Sequence, residues 1–197
     1  MRSKTFISAV RVIALLSFVS GACVLAQEPK LTASNFSGLI NDYSPGTVKG
    51  GPWEMHGQWS LNLRKDGGTE LAGYFSAQMT MSDYGTSAGV VDPTQAGQNA
   101  HTHHIKLTNA TVTWNMDGCP VFSPATTKGF QVNGTVSLMT GNGSNALFES
   151  TPPSTTLQVC VTGGTEVSNS NVTLVFVGPA TTHFGTQAIH GVVLKVD

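Results

Sequence analysis

From Trp53 to Leu63 apolar and polar residues alternate almost without interruption. Trp53, Met55, Gly57, Trp59, Leu61 and Leu63 fall on one side of an extended chain and Glu54, His56, Gln58, Ser60 and Asn62 on the other. A period of two is the signature of a β-strand with one buried face, and a helix cannot present it. The pattern returns after Lys65-Asp66-Gly67-Gly68, which has turn chemistry, with Phe75, Ala77, Met79 and Met81 alternating with Ser76, Gln78 and Thr80. These two segments predict a long hairpin.

The same rhythm organises the rest of the chain. His101 to Thr108 and Ala110 to Asn115 read as two short strands. Phe130 to Leu138 makes another, and Gly141-Asn142-Gly143-Ser144 turns the chain. Leu157, Val159 and Val161 form one face of the next strand, Val172, Leu174 and Phe176 one face of its successor, and a last strand runs from about Ala188 to Val196. Outside the first residues no helical period is present. The expectation is an all-β domain of about eight antiparallel strands, with a barrel preferred over a two-sheet sandwich because closure removes the exposed edges.

Arg2, Lys4 and Arg11 precede an apolar run, Val12 to Val19, and small residues leading to Val24-Leu25-Ala26. That is the layout of a signal peptide, and the run is shorter than the roughly 20 residues a spanning helix needs. The reading is therefore a signal peptide over 1–26, an N-terminal arm with at most one short strand over 27–52, and a single domain over 53–197. It places the protein outside the cytoplasm, secreted or periplasmic, with lipid anchoring at Cys23 as the alternative. Without the leader the chain keeps seven Lys and Arg against eleven Asp and Glu, a net charge of −4, with no basic cluster. Nucleic acid is thus not an expected partner. Cys119 and Cys160 remain as an even pair, neither in a C-x-x-C motif, and are expected to form a disulfide.

Chemistry is concentrated in Asn99-Ala100-His101-Thr102-His103-His104-Ile105. On a strand His101 and His103 share a face, with Cα atoms roughly 6–7 Å apart, so both imidazoles can reach one ion. Such a half-site needs a further ligand from elsewhere, and His183, His190 and His56 are the candidates. His183 is preferred because Gly185 follows it at a turn where backbone can approach a ligand. His104 should point the other way. The expected site is His101, His103 and His183, holding Zn or Cu. The competing reading is a set of histidines that decorate a polar face and bind nothing.

Known H-x-H families do not fit: the cupin acid is replaced by Leu107-Thr108, and a blue-copper Cys/Met loop near the C-terminus is missing. Through Trp53–Leu61, Asn99–Ile105 and His183–Gln187 the chain resembles a group of secreted bacterial all-β proteins of uncharacterised activity, and the resemblance implies no chemistry. No G-x-S-x-G elbow or phosphate-binding glycine loop is present. Whether the chain is an enzyme stays open. If it is, metal-assisted chemistry is the first expectation. The alternative is a non-catalytic protein binding a small molecule or carbohydrate, for which Trp53, Trp59 and Trp114 could line a cavity, although core packing is the simpler role for them.

Overall fold

A computed structural model describes residues 34–48, 51–65, 70–83, 86–87, 90–91, 100–121, 127–142, 155–163 and 170–197. The expected leader, 1–26, lies outside them. The strands are β1 (Asn35–Tyr43), β2 (Trp53–Arg64), β3 (Ala72–Asp83), β4 (Thr86–Ser87), β5 (Val90–Val91), β6 (His101–Thr113), β7 (Gly129–Asn142), β8 (Thr156–Thr162), β9 (Asn171–Val177) and β10 (Ile189–Val196), and one short helix, α1 (Thr181–Phe184), precedes the last strand. Eight of the strands close into an antiparallel barrel in the order β1-β10-β9-β8-β7-β6-β3-β2, while β4 and β5 form a separate two-stranded hairpin.

Alternation decides which face turns inward. On β2, Trp53, Met55, Trp59, Leu61 and Leu63 are buried while His56, Gln58, Ser60 and Arg64 are exposed. On β6, His101, His103, Ile105 and Leu107 are buried and His104 and Lys106 exposed. Each large apolar side chain moved inside contributes about 1.5–3 kcal/mol. Together these side chains fill the bore, so the described interior is a packed core rather than a channel. Polar outer positions on β2 and β6 are the reverse of the apolar outer band of a membrane barrel. No helix among the described residues is long and apolar enough to cross a membrane.

Three features depart from the sequence reading. Residues 27–52 are not only an arm: β1 supplies nine residues and joins β2 to β10, so the barrel begins well before Trp53. Its weaker pattern comes from Gly38, which stands where an inward side chain would collide with the carbonyl of Val192. His101 to Asn115 is not two strands. β6 is continuous through Thr113, and a bulge at Thr108-Asn109 turns two successive residues outward before Ala110 returns to the core, with Asn109 at φ 54°. The third departure is α1, too short for any period to announce.

Cys119, in the β6–β7 connection, is bonded to Cys160 of β8 across a separation of 41 residues. A closed loop of that length stabilises the fold by about 3–4 kcal/mol on the chain-entropy model. Met116 and Val121 pack on the sulfurs as a small satellite of the main core.

Candidate metal centre

One end of the barrel, where β2, β6 and β10 begin and β1, β3, β7 and β9 finish, is closed by α1. The β9 strand runs into Gly178-Pro179, which stops it. Thr181 and Thr182 then donate their hydroxyls to the carbonyls of Gly178 and Pro179, at 2.8 and 2.9 Å, and start the helical turn. Gly185 ends it at φ 89°, a conformation side chains rarely adopt, and a Cβ there would lie 2.8 Å from Pro45 Cδ. This turn pushes His183 and Phe184 into the barrel, leaving them 1% and 0% exposed.

His183 meets the two histidines of β6. Its Nε2 lies 3.0 Å from Nε2 of His101 and 2.9 Å from Nε2 of His103. All three ring nitrogens fall within 4.8 Å of one another, and the group could hold a metal ion. Zinc–imidazole bonds of about 2.0–2.1 Å in tetrahedral geometry place nitrogens roughly 3.3 Å apart, so loading asks each of the two contacts to His183 to widen by only a few tenths of an ångström.

The tautomer of His103 is fixed by its other nitrogen. Nδ1 lies 2.9 Å from the Thr140 carbonyl, which can only accept, so Nδ1 carries the proton and Nε2 turns its lone pair toward His183. A ligating histidine is oriented in the same way, its second nitrogen donating to a carbonyl. Aromatic rings hold the cluster from the sides. Trp53 stands edge-on to His101 with centroids 5.0 Å apart, and Phe184 lies 5.1 Å from His103 while stacking on Phe176 at 4.7 Å. Trp53 is itself pinned where β1 gives way to β2, its backbone N–H donating to Ser44 Oγ at 2.8 Å.

Burial keeps His103 and His183 neutral. It pushes His103 down to about 4, helped by the neighbouring His101 and opposed by the Thr140 carbonyl, and it pushes His183 down to about 3, helped by His103 and His101. In an unfolded chain both would titrate near 6.5. The unfolded state therefore binds more protons between those values, and the stability of chelator-treated protein is fully present above pH 6.5 and lost as pH falls toward 4 and 3. Between pH 6.5 and 5, above the range of ordinary carboxylates, the unfolding free energy from urea titrations should fall with a slope approaching about 1.4 kcal/mol per pH unit for each of these two imidazoles. A flat profile there would show that the rings take up protons in place.

The remaining histidines stay outside. His56 and His104 are exposed on the outer faces of β2 and β6. His190 is also exposed and gives its backbone N–H and Nδ1–H to Asp42 Oδ2 at 2.7 and 2.9 Å. Of the three candidates to complete the H-x-H pair, the structure brings only His183 to it. The disulfide removes Cys119 and Cys160 as ligands. Trp53 and Trp59 are core residues, and Trp114 packs on Phe130 at 5.2 Å. Thr140, Trp53 and Phe184 could not be connected to the site from sequence, since only strand register and the α1 turn bring them there. Comparison with known protein families, with curated proteins and with solved structures found no match.

Proposed function

We propose that this chain is an exported metal-binding barrel in which His101, His103 and His183 hold one transition-metal ion, zinc or copper, through their Nε2 atoms. The observation that carries the reading is the convergence of three buried ring nitrogens, one with its lone pair fixed inward, packed among the apolar side chains of the barrel core. Burying three imidazoles is costly where Leu, Val or Phe would pack at no polar cost, and a shared ion repays that cost. Export is supported by the leader-like residues 1–26 and by a disulfide of the kind that persists in oxidising compartments.

Because the three ligands are 0–3% exposed, the ion would sit out of reach of bulk solvent. This favours a held ion over hydrolysis at an open coordination position. Elemental analysis of protein exported without a His-tag should find close to one Zn or Cu per chain, and the His101→Ala/His103→Ala protein should lose it. Metal-free wild-type protein, even after incubation with both ions, would overturn the proposal.

A second reading rests on a different feature. A cleft of about 520 Å³, lined by residues including Val121, Lys128, Asn171, Thr173 and His190, opens on the outside of β8, β9 and β10. Its size suits a small molecule or a sugar. Such a ligand should bind equally well to the wild type and to the histidine double variant, which separates the two readings.

A further inference from the structure

Four of the six methionines of the chain, Met55, Met79, Met81 and Met139, are fully buried in the barrel. Strand register sets them around the histidines. Met79 pairs with His103 and Met81 with His101 across β3 and β6, Met55 pairs with Met81, and Met139 pairs with Ile105, the next inward residue after His103. Directly opposed residues on one face have Cβ atoms about 4.5–5.5 Å apart. A methionine side chain has three rotatable bonds, so it can bring its sulfur to a point its neighbour's ring also reaches.

Two properties of this surrounding select among metals. Thioether sulfur is a soft donor, suited to Cu(I) and poorly matched to Zn(II). In addition, no Asp, Glu or Cys joins the histidine group among the described residues. Neutral ligands in a dry core leave the full charge of the ion uncompensated, and the penalty for burying charge rises steeply with its magnitude, so a monovalent ion is favoured over a divalent one.

Resting on the metal-binding reading above, we propose that the site is selective for Cu(I), with His101, His103 and His183 as nitrogen ligands and one thioether, that of Met79 or of Met81, supplying the fourth position. The test uses the full exported chain, tag-free and stripped with chelator. Cu(I) is titrated anaerobically against bicinchoninate and Zn(II) against a fluorescent chelator, for wild type and Met79→Leu/Met81→Leu. Leucine conserves volume, so the double variant should keep its fold, which its urea midpoint checks.

The expected result is one Cu(I) per chain, with affinity falling at least about tenfold in the double variant while Zn(II) affinity stays within about threefold. X-ray absorption of the Cu(I) form should show a sulfur scatterer that the variant lacks. Cu(I) affinity unchanged by the substitutions overturns the methionine assignment and leaves the three-histidine site standing. If neither ion binds wild-type protein, the metal-binding reading falls and takes this inference with it.

Discussion

Zinc added to chelator-stripped protein should raise its unfolding free energy by about 4 kcal/mol once the free ion exceeds its dissociation constant a thousandfold, and most of that gain should disappear in His183→Ala. A ligand stabilises a fold only as far as it prefers the folded chain to the unfolded one. His101 and His103 are two residues apart, so an unfolded chain keeps this pair and retains some affinity for the ion. His183 is 80 residues from His103 and meets it only when α1 closes the end of the barrel. The third ligand is therefore the one that couples binding to folding. A gain of that size corresponds to a rise in Tm of roughly 8–16 °C for a domain of this length. The comparison is between each protein with and without zinc, so any cost of the substitution itself cancels. A variant that keeps the full wild-type increment would show that His183 is not a ligand.

The barrel was legible because most of its strands obey the period-two rule over long runs. β2 and β3 follow the alternation closely and form the long hairpin expected of them, paired from Trp53 opposite Asp83 to Arg64 opposite Ala72, a register the alternation did not itself specify. The His-x-His pair was legible for the same reason, since its two rings must share a face. What periodicity cannot supply is contact between distant segments. That His183 and not His56 or His190 completes the trio follows from a four-residue helical turn, and that Thr140 orients His103 follows from the β6–β7 register. β1 was under-read because two of its residues answer to the fit between strands: Gly38 is small to clear Val192, and Leu39 faces outward at 46% exposure.

Gly38→Ala should destabilise the barrel by about 3 kcal/mol or more, at the upper end of what overpacking costs. A Cβ at this position would lie 1.8 Å from the carbonyl oxygen of Val192 and 2.9 Å from Trp59 Nε1. The first of these atoms is backbone and cannot rotate away. The second donates to that same carbonyl at 3.3 Å, so displacing it also breaks the hydrogen bond that ties β2 across to β10. Gly38 stands where the β1–β10 register shifts, between Ser37 and Gly38, and this seam joins the first barrel strand to the last. Gly46 supplies the control: a Cβ there meets nothing nearer than Pro52 Cδ at 3.8 Å, so Gly46→Ala should stay within about 0.5 kcal/mol of wild type. Both are read from urea unfolding followed by tryptophan fluorescence. Because α1 lies between β9 and β10, a loosened seam also frees His183, and Gly38→Ala should bind zinc more weakly although it removes no ligand. If Gly38→Ala unfolds at the same urea concentration as Gly46→Ala, the seam can yield to a methyl group, and closure of the barrel does not depend on that close approach.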